Sequence, residues 1–160
     1  MHFSSALAFF LASFASTSAT APAIIQPADN TAIAPGASFP FEYLSIADYG
    51  TSSYNYSVYL ITSPPDAFAP SQTFASGHYF GRFGAPNYPG NPNPKNTAPS
   101  QLVMPNFSLP PGGFGAGAFA TNATFYLAVF EEYSNGDGVI GNRISFTSNR
   151  IIYNATTNAG

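Results

Sequence analysis

The segment from Gly77 to Tyr88 carries the side chains best suited to binding a ligand. It places four aromatic rings beside a histidine and an arginine, among glycines and prolines. Aromatic faces with polar tips stack on sugar rings, and a guanidinium group donates hydrogen bonds to hydroxyl groups. The alternative is that these rings cover an edge or an open end of a sheet. The expected contact residues are His78, Tyr79, Phe80, Arg82, Phe83 and Tyr88.

Carboxylates are the other groups that could do chemistry. Glycoside hydrolysis needs two of them on either side of the scissile bond. Glu131 and Glu132 are adjacent in a predicted strand, so their side chains point to opposite faces and cannot act as a pair. We expect Glu131 to lie at the rim of the core and to pair with Arg143 on the next strand. We therefore predict no catalytic residues and a protein that is not an enzyme.

Metal and cofactor sites have little support in this sequence. The chain has no cysteine, and His78 is the only histidine outside the first few residues. The run Asn135–Gly138 has too few oxygen ligands at the spacing of a calcium loop, so a hairpin turn explains it better. The glycines from Gly112 to Gly117 lack the Lys-Ser/Thr of a phosphate loop. We expect no metal and no cofactor.

Residues 1–21 have the pattern of a secretory signal peptide. An apolar run, Ala6–Ala15, is followed by small residues, and cleavage fits after Ala19 or after Ala21. The run is shorter than the ~20 residues of a membrane span. The alternative is a buried N-terminal helix. We expect a secreted protein that is extracellular or in the cell wall, with no membrane anchor, because the last residues are polar.

Four Asn-x-Ser/Thr sequences follow the leader, and each is an acceptor for N-linked glycans in an exported chain. The acceptors are Asn55, Asn106, Asn122 and Asn154. The chain has only four Lys and Arg residues and a net charge of −3. Binding to nucleic acid by neutralising phosphates requires a cluster of basic side chains, so we expect no nucleic acid partner.

The elements that must position these residues are predicted to be short strands. Residues 54–61 and 124–133 alternate with period two, which is typical of half-buried strands, and Gly and Pro divide the remainder. About seven strands separated by turns predict one all-β domain over residues 22–160, an Ig-like antiparallel β-sandwich. Residues 66–100 are predicted to form a long excursion rich in Pro, Asn and Gly.

The stretch Ala23–Tyr43 resembles the start of a fungal extracellular module. That module is the N-terminal Ig-like domain of the yeast cell-wall glucan-assembly family, which also occurs in Ser/Thr-rich GPI-anchored wall proteins. The shared pattern is Ile-x-x-Pro, a Pro-Gly turn and an alternating strand that ends in an aromatic residue. This chain departs from the family because it lacks the Ser/Thr-rich stalk and the anchor signal.

The resemblance implies a fungal, non-enzymatic glycoprotein that associates with cell-wall or extracellular polysaccharide, with no catalytic residues to carry over. The alternative is a secreted protein-interaction module, an effector or inhibitor, whose partner is another extracellular protein. A third hypothesis is an unrecognised hydrolase.

Overall fold

The computed structural model describes residues 21–47, 50–64, 76–87, 91–109, 120–135 and 141–155. These ranges contain nine strands and no helix, and therefore none long and apolar enough to cross a membrane. The strands are β1 (Ala23–Gln26), β2 (Thr31–Ile33), β3 (Ser38–Pro40), β4 (Glu42–Leu44), β5 (Ser52–Ile61), β6 (Ser76–Gly84), β7 (Gln101–Val103), β8 (Ala123–Ser134) and β9 (Arg143–Tyr153).

Five strands form the main sheet, in the order β2-β9-β8-β5-β6. β5, β6, β8 and β9 pair antiparallel, and β2 pairs parallel with β9 at one edge. The Ig-like topology itself stays a prediction.

Two small sheets, β1-β4 and β3-β7, form the second layer. β3 and β4 are separated only by Phe41, whose backbone N–H still donates to Ser100 O at 2.9 Å. One extended stretch thus changes partner from β7 to β1. The side chain of Asn149, in β9, donates to the carbonyls of Ile24 (3.0 Å) and Pro27 (2.9 Å), which ties the second layer to the main sheet.

The core lies between the two layers. Val58, Leu127 and Ile151 of the main sheet have no exposed surface and belong to one cluster with Phe39 and Leu102 of the second layer. Because side chains alternate along a strand, the residues between these positions point away from the second layer. The main sheet therefore has an inner face on the core and an outer face that points away from the second layer.

The prediction of an all-β fold is confirmed, and the arrangement of layers is that of a β-sandwich. The nine described strands exceed the predicted seven partly because β3 and β4 divide one stretch. The predicted excursion at 66–100 also contains a strand, β6, which pairs along β5. Glycines at three of its nine positions hide its alternation in the sequence.

Candidate carbohydrate-binding face

Four aromatic side chains form a row across the outer face of the main sheet, one from each of β6, β5, β8 and β9. Ring centroids are 4.9 Å apart for Tyr79–Tyr59, 5.9 Å for Tyr59–Phe130 and 5.0 Å for Phe130–Phe146. We call these four residues the aromatic row. Tyr79 is 50% exposed, and the other three are half-buried.

The register of the strands produces this row. Tyr59 lies opposite Tyr79, and Phe130 lies opposite Phe146. Tyr59 is diagonal to Phe130, because Ser57 is the direct partner of Phe130. Directly opposed and diagonal side chains on one face of an antiparallel pair are close enough for rings to touch. A shift of one residue in any pair would turn a ring to the core.

A bulge in β6 directs Tyr79 and Arg82 to the same face. Val58 is paired with Gly81 and Tyr59 with Tyr79, so Phe80 is the extra residue. Gly81 has a φ of +148°, and a Cβ there would lie 2.8 Å from the ring of Phe83. Glycine is therefore required at this position, next to the extra residue that shifts the alternation of side chains between the two faces of the sheet.

An ion pair lies beside the aromatic row. Nη2 of Arg82 donates to both oxygens of Glu132, each at 2.8 Å, and the two side chains are about half and two-fifths exposed. Glu132 is on β8 and Arg82 is on β6, so the pair spans β5 above Asn55 and Ser57. An exposed pair of this kind adds little stability, but its donors and acceptors are open to hydroxyl groups.

An open groove adjoins the same end of the face. We call it the asparagine groove, because four of its lining residues are asparagines. It is lined by Tyr54, Asn55, Gly84, Asn91, Asn93, Pro94, Lys95 and Asn96.

The predicted contact residues divide between the two faces. Tyr79 and Arg82 lie on the outer face. Phe83 is buried in the core and its ring packs against Tyr56, with centroids 5.9 Å apart. Phe80 contacts the core ring of Phe39. These two rings pack inward, against the core.

His78 also lies toward the inner side, opposite Leu60, with its ring edge-to-face on Phe80 at 4.7 Å. Burial lowers the pKa of His78 below its ordinary value. The sixth predicted contact residue, Tyr88, lies outside the described residues.

Sequence reasoning missed three members of the aromatic row, Tyr59, Phe130 and Phe146. The sequence did contain a signal for Tyr59, because the alternation along β5 places it on the opposite face from the apolar residues Val58 and Leu60. A single outward ring is ordinary on a protein surface, and only the contact of several such rings makes a patch. That these positions meet depends on register, which the sequence does not display.

Glu131 is fully buried at the inner face. The Tyr43 hydroxyl donates to Oε2 at 2.6 Å, the backbone N–H of Ile46 donates to both oxygens at 3.2 and 3.1 Å, and the Ser53 hydroxyl donates to Oε1. The expected pairing with Arg143 is wrong. Glu131 lies opposite Ser145, inside the sandwich, whereas Arg143 lies opposite Tyr133 at the strand end.

Two tyrosines near this carboxylate have raised pKa values. Burial, together with the hydrogen bond to Glu131 and its negative charge, raises the pKa of Tyr43 far above its usual range. Burial, with a smaller contribution from the charge of Glu131, raises the pKa of Tyr56 to about 12. Both phenols therefore stay protonated at neutral pH, as donors or neutral core groups. The arrangement ties the segment after β4 to the main sheet.

Nothing within the described ranges gathers three or more side chains of His, Cys, Asp or Glu into a metal-binding group.

A scan of the chain against protein-family models finds no match, and a search of curated proteins finds none either.

Proposed function

We propose that this chain is a secreted, non-enzymatic glycoprotein that associates with cell-wall or extracellular polysaccharide through the aromatic row. The single observation that carries the proposal is the row itself, four rings in sequential contact on the face opposite the core. Tyr79 is 50% exposed and the other three rings are partly exposed, so a ligand can contact the row from the side away from the core.

Size and charge favour a neutral polymer. Strands are spaced about 4.8 Å apart, so a row across four strands covers about 14 Å, the length of a few sugar units in an extended chain. Arg82 and Glu132, which lie beside the row, neutralise each other. A ligand with hydroxyl groups can exchange hydrogen bonds with that pair without bringing a charge of its own.

The positions of the two adjacent glutamates support a non-enzymatic role. Glu131 is enclosed and accepts three sets of hydrogen bonds, whereas Glu132 lies on the other face and is held by Arg82. Two carboxylates on opposite faces of one sheet cannot flank one glycosidic bond.

A protein partner is the second candidate, and one observation favours it. Ile144 is 65% exposed and lies opposite Glu132, so an aliphatic side chain adjoins the rings and the arginine. Protein interfaces are enriched in Tyr, Phe and Arg, and a sheet face of this composition would suit one.

Co-sedimentation of the purified chain with insoluble β-glucan and with chitin tests the proposal. We expect retention on at least one polymer, and a large loss of retention in the double variant Tyr59→Ala/Tyr79→Ala. Val103→Ala is the matched control, since Val103 is an exposed apolar residue of the second layer. Absence of retention on every glycan would remove the polysaccharide proposal and leave the protein partner.

A further inference from the structure

The four glycosylation sequences are not equivalent in the structure. Nδ2 of Asn154, the atom that would carry a glycan, already donates to Ala120 O at 3.1 Å. Asn106 uses its Oδ1 to accept bonds from the backbone and hydroxyl of Ser108, at 3.0 and 2.6 Å, which leaves its nitrogen for modification. Asn122 is exposed in a turn with a φ of +52°.

Asn55 has a different setting. Its side chain makes no hydrogen bond to any described residue, although it is half-buried in the middle of a long strand. It lies opposite Glu132 on one side and Gly84 on the other, and so it is on the outer face. An amide that is partly covered and yet unbonded has its hydrogen-bonding groups directed at solvent or at a ligand.

The asparagine groove begins at this side chain, and its far wall is held in place. Gly84 donates its backbone N–H to Asn96 O at 2.7 Å, and Asn87 and Asn91 exchange backbone bonds of 2.9 and 2.8 Å. A Cβ on Gly84 would lie 2.5 Å from Cβ of Pro94, so the loop packs directly on the strand. The groove is therefore a preformed feature next to Asn55.

Its lining suits a sugar. Asn93 and Lys95 are exposed on the loop and Tyr54 is on the strand, so amide, ammonium and phenol groups surround the opening. Amides and phenols exchange hydrogen bonds with sugar hydroxyl groups, and Pro94 offers an apolar surface to a ring face.

We propose that Asn55 carries an N-linked glycan whose first sugars lie in the asparagine groove. In the transfer, Nδ2 forms a bond to the anomeric carbon of a lipid-linked oligosaccharide donor, the lipid diphosphate leaves with the electrons of the broken C–O bond, and the amide loses one proton. The groove then holds the protein's own glycan, and an external polymer is left with the aromatic row and the Arg82–Glu132 pair beside it. This inference rests on the predicted export and not on polysaccharide binding.

Expression of the full chain in a eukaryotic secretory host tests the modification first. Glycopeptide mass spectrometry is expected to find Asn55 occupied, and Ser57→Ala, which keeps Asn55 but removes the acceptor sequence, is expected to lose only that glycan. An unmodified Asn55 in the product of the unaltered chain would overturn the inference.

Enzymatic deglycosylation of the folded protein then tests the seating of the sugars. We expect the Asn55 glycan to be released at least tenfold more slowly from folded than from denatured protein, and release to become faster in Asn93→Ala/Lys95→Ala. Neither of those two side chains makes a hydrogen bond to a described residue, so the variant should fold. Equal release rates from folded and denatured protein would overturn the seating.

Discussion

The pair Glu131 and Glu132 shows how position decides the role of a side chain. The two residues share chemistry and are adjacent in β8, yet one is enclosed by donors and the other lies in an exposed ion pair. Breaking hydrogen bonds to a buried charge costs about 1–3 kcal/mol, whereas an exposed ion pair is worth at most about 1 kcal/mol. The same substitution should therefore have different effects at the two sites.

Glu131→Gln is expected to lower the free energy of unfolding by about 1–3 kcal/mol, because an amide NH₂ would face donors in place of one accepting oxygen. Glu132→Gln is the matched control and should change it by less than about 1 kcal/mol. Urea denaturation of both variants measures the difference. Equal effects would contradict the assignment of Glu131 as the anchor of the segment after β4.

The raised pKa of Tyr56 predicts sensitivity to alkali. Folded Tyr56 ionises near pH 12, and unfolded tyrosine near 10, so between these values the unfolded state has lost a proton that the folded state keeps. Stability is then complete below about pH 10 and falls as pH rises, by up to about 1.4 kcal/mol per pH unit for each such tyrosine. In chemical denaturation from pH 8 to 12, Tyr56→Phe should show a shallower decline. An unchanged slope would count against the burial of this phenol.

At the scale of elements, the sequence predicted the regular strands and missed the irregular one. Alternation over 54–61 and 124–133 located β5 and β8 to within two residues. β6 was assigned to an excursion, since its bulge and glycines break the period. The bulge also explains why the predicted set of contact residues is partly wrong. Phe83 and Tyr79 would share a face in a regular strand, and the bulge places them on opposite faces.

The bulge in β6 is also open to test. Gly81→Ala places a methyl group 2.8 Å from the Phe83 ring at a φ of +148°, and should cost about 1–3 kcal/mol of stability and weaken polysaccharide binding as Tyr79 and Arg82 turn away. Gly36→Ala is the control, because Gly36 also has a positive φ (+73°) but has open space around it. Gly36→Ala should lose stability but keep polysaccharide binding. Loss of binding in both variants would mean that the bulge has no special part in orienting the face.

At the scale of the whole molecule, the aromatic row is continuous but not flat. The planes of successive rings meet at 36°, 87° and 54°. A crystalline polymer presents a plane, which these rings cannot all face at once. A single chain that twists between sugar units can follow them. The twist of the sheet also keeps the rings out of one plane, since adjacent strands rotate by about 20–25° relative to each other.

The tilts predict a preference for dissolved chains. In competition co-sedimentation, soluble β-glucan oligomers should release the protein from an insoluble polymer, and crystalline chitin should retain it less than amorphous glucan does. Strong retention on crystalline chitin that soluble oligomers fail to displace would contradict this preference while leaving polysaccharide binding in place.

The most direct measurement is a calorimetric titration of the unaltered chain and two variants, Tyr79→Ala and Phe146→Ala, with a soluble glucan oligomer, using Val103→Ala as the control. The two variants remove opposite ends of the aromatic row. The account predicts that each raises the dissociation constant about tenfold, equivalent to about 1.4 kcal/mol, and that the control leaves it unchanged. Dissociation constants within twofold of one another in all four proteins would contradict binding through the aromatic row.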